Sequence, residues 1–461
     1  MVFSSLTFLL CFLPVVLILY YLVPFKFKNF VLALGSIVFY AWGEPVYVIL
    51  MLYSIMFNFR FGILIDESEK NTKGVFVFAV IINILILFFF KYYAFLVSFI
   101  NTAFNASIPV REIPLPIGIS FYTFQALSYI IDVYRKKISA QKNLITFSAY
   151  ITMFPQLIAG PVVRYEDIQK ELVNRRLSLE IFGRGCTRFL YGMSKKLIIA
   201  NQVGKLYDSV QILGANTSVA AGWLGAIAFT FQIYFDFSGY SDMAIGLGQM
   251  LGFNFNENFN EPYKAKSVTD FWRRWHISLG SWFREYVYIP LGGNRNGVAK
   301  HIRNILIVWF LTGMWHGAGW NFIIWGLYYG VLLIMDKYVL DKIRHFPNFI
   351  RRILTIFEII IGWVIFCSET FEKLILNLKI MFGIDGVGLM DNNAAFLLKN
   401  NLVLLLLCLL LCTGVIKKVN ERIQNKKVQV VVIPLANIVL LVLCCMLMIT
   451  QSYNPFLYFK F

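Results

Sequence analysis

Apolar runs, each close to the length a bilayer demands, recur along this chain of 461 residues. A crossing helix needs about 20 apolar residues, because each advances 1.5 Å through a ~30 Å hydrocarbon layer. Such runs cover 5–24, 29–43, 45–65, 74–100, 115–133, 186–206, 218–236, 303–316, 319–340, 352–368, 394–416 and 428–450. They are continuous rather than alternating, so they predict helices and not barrel strands. Composition agrees: 59% of residues are hydrophobic and 15% charged, against about half and a quarter in a soluble domain. A soluble globular enzyme, a disordered chain and a disulfide scaffold are excluded. The expected fold is an all-α polytopic membrane protein of about 11–13 membrane helices, re-entrant segments included.

Two stretches depart from simple crossing. The run 144–163 carries Pro155 and then Gly160-Pro161. A break of that kind at membrane depth needs protein or a watery cavity around it, so a broken or re-entrant helix is expected. In 254–302, charged and aromatic residues interleave. Arg273, Arg274 and Arg284 with Trp272, Trp275 and Trp282 predict an amphipathic helix at the cytoplasmic interface, ended by the turn Gly292–Gly297. No repeat or linker divides the chain. It reads as one membrane domain, 1–461, with 254–302 as an interfacial segment and 451–461 as a tail.

The net charge of +17 comes from 42 Lys and Arg less 25 Asp and Glu. In a membrane chain these basic residues hold loops on the cytoplasmic side and meet anionic lipid; nucleic acid is not implied. Lys26 and Lys28 follow the first helix, which puts the N-terminus outside. Lys70 and Lys73, then Arg135, Lys136, Lys137 and Lys142, then Lys417, Lys418, Arg422, Lys426 and Lys427 fall inside, and the tail 451–461 falls outside. The apolar N-terminus has no charged leader or cleavage site and reads as a retained helix. Many Lys, Ile and Asn residues suit an AT-rich bacterial genome, and a bacterial cytoplasmic membrane is the expected location. Cys408, Cys412, Cys444 and Cys445 lie in apolar runs without a CxxC pair, so they read as small buried residues. Nothing has metal-ligand spacing.

Four histidines occur. His301 and His345 lie in basic loops and read as solvated. His316 sits in "LTGMWHGAGWNFIIWG" between two apolar helices. An ionisable group at that depth is costly and marks a functional candidate; imidazole also suits proton abstraction from a hydroxyl. A structural histidine bonded between helices is the alternative. His276, in "FWRRWH", reads by itself as an interfacial residue without a catalytic role rather than as a catalytic one. Asp236 and Asp242 are embedded carboxylates that could orient a histidine, line a polar path or bond between helices. "GLGQMLG", Gly246–Gly252, lacks a preceding strand and reads as helix packing rather than a dinucleotide fingerprint.

The stretches "PLPIGISFYTFQALSYIIDVYR", "FPQLIAGPVVRY", "TDFWRRWHISLGSWFREYVYIPLGGNR" and "TGMWHGAGWNFIIWGLYYG" together resemble the membrane-bound O-acyltransferases, most closely the branch of alginate O-acetyltransferase membrane subunits. The resemblance runs from about residue 114 to 330. It implies tilted helices ringing a thin core that an acyl donor reaches from the cytoplasm and a hydroxyl acceptor from outside. It maps the family's invariant histidine to His316 and a second polar residue, His or Asn in relatives, to His276. His316 would be the general base, and His276 or Gly-rich backbone N–H groups would stabilise the oxyanion. Arg273 and Arg274 would suit the phosphates of acetyl-CoA or an acidic acyl carrier protein, with lipid headgroups as the alternative. No cofactor would be held; the acyl thioester is a co-substrate.

The implied activity is acetylation of an exported polysaccharide or cell-envelope polymer, with a secreted or membrane-anchored esterase-like partner. D-alanyl transfer to teichoic acid is the rival within the family, and a transporter or flippase the rival outside it. The last residues, "NPFLYFKF", read as an interfacial aromatic anchor. Their Phe456, Tyr458 and Phe461 also resemble the acyl-relay motif of a small subunit of teichoic acid D-alanylation, which would make Tyr458 an acetyl carrier.

Overall fold

A computed structural model describes the chain apart from residues 69–70, 159, 215–216, 341–345, 416–430, 451–455 and 458–461. His345, Tyr458, Phe461 and the basic loop with Lys417 and Lys427 therefore lie outside the described residues. Among the described residues every regular element is helical. Six helices are long and apolar enough to cross a membrane: Val48–Glu67, Thr72–Phe104, Val219–Met250, Trp320–Leu340, Asn392–Cys412 and Ile433–Thr450. Phe25–Gly43, Val298–His316 and Asn348–Cys367 have similar length but carry basic residues in their first turns. The chain is a multi-pass all-α membrane protein.

One compact unit comprises Met1–Phe189 with Tyr240–Asn256. Within it, burial separates two kinds of helix. Thr72–Phe104 leaves Phe78, Ile81, Ile84, Leu85 and Phe89 exposed, as suits a lipid-facing element. Ile119–Tyr134 is buried on nearly every side, Gln125, Ser128 and Asp132 included, as a central helix must be. It begins at Gly118, whose φ of +74° is left-handed and whose absent Cβ would lie 2.6 Å from the Leu157 carbonyl oxygen. Val48–Glu67 and Thr72–Phe104 are joined by a reciprocal amide pair. Asn58 Nδ2 donates to Asn83 Oδ1 at 3.1 Å, and Asn83 Nδ2 returns the bond at 2.9 Å. The break expected near Pro155 is present: Leu144–Thr152 stops at Met153, and Phe154–Leu157 follows as one short turn, all of it buried.

The other unit comprises Leu190–Gly239 with Glu257–Phe461. Its tightest pair is Val298–His316 with Trp320–Met335. A Cβ on Gly313 would fall on the Phe322 carbonyl oxygen, and one on Gly326 on that of Trp309. Small residues thus let the two backbones approach as lipid-embedded helices do.

His301, expected in a solvated loop, is buried in the helix Val298–His316 with Nδ1 2.6 Å from the Tyr338 hydroxyl. Two expectations about whole elements also need correction. The run 218–236 is the first part of a helix that continues to Met250. Asp236 and Asp242 lower its hydropathy, yet each has a basic partner, Lys196 and Arg188, so the helix continues through them. The second correction concerns 254–302, which is not one amphipathic helix. It forms a 3-10 turn Pro262–Lys264, short helices Val268–Trp272 and Ile277–Phe283, and a π turn Arg284–Tyr288. Phe255, Phe271, Trp275, Trp282, Phe283 and Tyr286 are all buried in protein. A single amphipathic stripe could not turn so many rings inward. The glycine string Gly246–Gly252 is a packing surface as expected: a Cβ on Gly246 would lie 2.6 Å from the Gly185 carbonyl oxygen.

Candidate active site

His316 is the last residue of its helix. Gly317 follows in an extended conformation, φ −170° and ψ 164°, and the next helix starts at Trp320. The turn thereby leaves a buried imidazole at the tip of the tightest helix pair. Aromatic rings clamp it edge-on: Trp325 at 4.9 Å between centroids, Trp315 at 5.0 Å and Phe366 at 5.4 Å. A small, chiefly apolar pocket opens beside it, lined by His316, Asp236, Phe237, Trp275, Trp325 and Trp363 among others.

His276 reaches the same aromatic cluster from a different element. Its backbone is left-handed, φ 45° and ψ 52°, at the start of Ile277–Phe283. Such a conformation in a non-glycine residue costs of order 1–3 kcal/mol and is found where surroundings enforce it. Here Asn258 does so. The Ile277 N–H donates to the Asn258 carbonyl at 3.0 Å, and the Ser278 N–H and Oγ donate to Asn258 Oδ1 at 3.2 and 2.9 Å. The same oxygen lies 3.2 Å from His276 Nδ1. A backbone N–H can only donate, so the atom it meets is the amide oxygen, and Nδ1 carries the proton. Burial holds the imidazole neutral, with its pKa lowered to about 3. Nε2 is then a lone-pair acceptor, and it meets no partner among the described residues. The ring packs on Phe237 at 4.7 Å and Trp315 at 5.9 Å, so the two histidines flank one Trp315 ring.

The arginines separate. Arg274 Nε donates to Asp270 Oδ1 at 2.7 Å and its Nη1 reaches the Asn260 carbonyl, so its charge is engaged within the chain. Arg273 is exposed. Of the tail, Phe456 and Leu457 are described, both buried, and both line the pocket with His316. Tyr458, the residue expected to matter there, lies outside the described residues.

Sequence reasoning missed Asn258 and Lys196. Asn258 sits in "NFNENFN", which reads as an ordinary polar loop. Lys196 follows Lys195 and reads as a helix flank. The available signal was an apolar run after it, "LIIA", which places a lysine where a partner is obligatory.

A multi-pass membrane protein with a buried histidine at a pocket in its helical core is the class these observations define. The sequence model of the membrane-bound O-acyltransferase family matches residues 133–371. The chain is 40% identical over the whole of both sequences to the "Probable alginate O-acetylase" of Azotobacter vinelandii. It is 33% identical to the "Peptidoglycan O-acetyltransferase" of Helicobacter pylori over 84% of this chain and 81% of that one. It is 27% identical to the "Teichoic acid D-alanyltransferase" of Bacillus subtilis over 68% and 82%. The chain belongs to the membrane-bound O-acyltransferase family and is an O-acyltransferase.

Proposed function

We infer that this protein carries an acetyl group from a cytoplasmic thioester, acetyl-CoA or an acyl carrier protein, to the O-acetylation of an exported cell-envelope polymer of a bacterium. Both termini would lie outside the cytoplasmic membrane. Acetyl is favoured over D-alanyl because the relative matched over its full length is an O-acetylase, whereas the D-alanyltransferase matches at lower identity and coverage. The observation that supports the mechanism is the pocket that His316 shares with Phe456 and Leu457: the last described residues of the chain line the same pocket as the candidate base.

In the proposed reaction the Tyr458 hydroxyl attacks the thioester carbonyl. Its proton passes to His316, the carbon–sulfur bond breaks, and the thiolate leaves with that proton as a thiol. The acetyl-tyrosine ester then gives its acetyl group to a hydroxyl of an exported partner or of the polymer, which restores the tyrosine. Tethering replaces a bimolecular encounter by a high local concentration. The oxyanion needs a donor. His276 cannot supply one from Nε2 when Asn258 holds its proton at Nδ1, so its assigned part is to accept the bond of an incoming hydroxyl. Trp325 fits the donor role: it lines the pocket, packs on His316, and its buried indole N–H meets no acceptor among the described residues. Arg273, exposed, remains the candidate for donor phosphates.

The test is polymer acetylation in cells that lack the native copy. Tyr458→Phe keeps the ring and removes the oxygen, so acetylation should disappear; a normal acetyl content in that variant ends the relay. His316→Ala should lose about 10²–10⁴-fold in rate with normal membrane insertion, and wild-type transfer would end its assignment as base.

A further inference from the structure

The pocket wall includes a carboxylate, Asp236, that neither histidine explains. Asp236 and Lys196 form an ion pair, and both side chains are almost wholly buried. Lys196 belongs to the π-helical turn Lys195–Ala200, and Asp236 to the middle of Val219–Met250. Taking two charges out of water costs several kcal/mol each, and their attraction rarely returns more than that. A pair kept at such cost, its carboxylate in a wall otherwise chiefly of aromatic and aliphatic side chains, points to a task beyond stability.

The structure supplies the task. The backbone N–H of Leu457 donates to Asp236 Oδ2 at 2.7 Å, a bond between residues 221 apart in sequence. Phe456 packs on the neighbouring Phe237 ring at 5.8 Å. One carboxylate therefore faces Lys196 through Oδ1 and the tail backbone through Oδ2. A charged acceptor makes a bond about twice as strong as a neutral one, and the Lys196 ammonium lies opposite the same carboxylate. Because the bond is to backbone, it fixes where the tail sits and leaves the side chains on either side of Leu457 free to differ.

The geometry points to Asp236, charge-balanced by Lys196, as the receptor for this chain's own C-terminal segment, a positioning device that holds Phe456 and Leu457 in the His316 pocket. Its catalytic consequence rests on the acetyl-transfer reading; the seating itself does not.

The seating is read by chemical protection. In the full chain, with Cys11, Cys186, Cys367 and Cys445 replaced by alanine, Leu457→Cys keeps the backbone bond and supplies a thiol. In native membranes a permeant maleimide should modify it at least about ten-fold more slowly than in denatured chain, since reaction requires the segment to open. Lys196→Met with Asp236→Asn keeps a neutral acceptor and leaves no unpaired charge, so protection should persist. Lys196→Met with Asp236→Leu removes the acceptor, and labelling should accelerate about ten-fold. Continued protection in a folded Lys196→Met/Asp236→Leu protein overturns the assignment, as does rapid labelling of the parent. If that variant does not insert, Phe237→Cys with Phe456→Cys, made with the ion pair intact, should be joined by a short flexible bis-maleimide in native membranes; failure to do so overturns the seating. Acetylation measured on the same variants separates the two readings. A protected thiol at position 457 together with an active Tyr458→Phe enzyme sinks the relay and spares the receptor. A freely labelled thiol there together with an inactive Tyr458→Phe enzyme does the reverse.

Discussion

At position 276 the backbone restricts the side chain before chemistry does. A left-handed residue without glycine's freedom is most often Asn, Asp or His, and alanine there costs roughly 1–2 kcal/mol. His276→Ala therefore mixes two effects, whereas His276→Asn keeps the conformation and removes the lone pair of Nε2. We expect His276→Asn to reach the membrane at wild-type level while transfer falls about 10- to 100-fold. Undiminished transfer returns His276 to a structural role. His316 was legible in the sequence because an imidazole inside an apolar run has few bland explanations. The tautomer of His276 was not, because it depends on an asparagine 18 residues away whose partners only the fold brings together.

Among the elements, the hairpin Val298–His316 and Trp320–Met335 fixes His316 through its glycines. Gly326→Ala puts a methyl group against the Trp309 carbonyl oxygen, and two close backbones have no flexible atom to yield. Overpacking of this kind costs typically about 1–3 kcal/mol. The thermal midpoint of detergent-purified protein should fall by several degrees, and acetylation should fall with it as His316 shifts. A midpoint equal to wild type would show that the hairpin absorbs the methyl group. The apolar periodicity of the sequence located most helices to within a few residues. It failed where buried charge interrupts apolar sequence, as at Asp236, and where short broken helices bury their aromatic rings, as around Trp275. Hydropathy records a residue's preference for lipid, and says nothing of a partner that satisfies it within the protein.

On the scale of the whole chain, Met1–Phe189 is completed by Tyr240–Asn256, residues made only after some fifty others. Three buried or half-buried groups depend on that return. Arg188 donates to Asp242 Oδ1 through Nε at 3.1 Å and Nη2 at 2.8 Å, Tyr20 donates to the Leu251 carbonyl at 2.6 Å, and the Arg175 guanidinium lies over the Phe253 ring. A fragment ending at Phe189 should accordingly be degraded or aggregate. One extended to Asn256 should resist membrane proteolysis better, and equal lifetimes in a pulse-chase would contradict this. For the growing chain the same arrangement means a waiting period. Arg188 emerges from the ribosome dozens of residues before its counter-charge does. Until Asp242 follows, this ion pair is absent, and headgroups, water in the insertion channel or an insertase stand in for the carboxylate. The interval between the two residues thus sets how long biosynthesis must hold this half of the protein open.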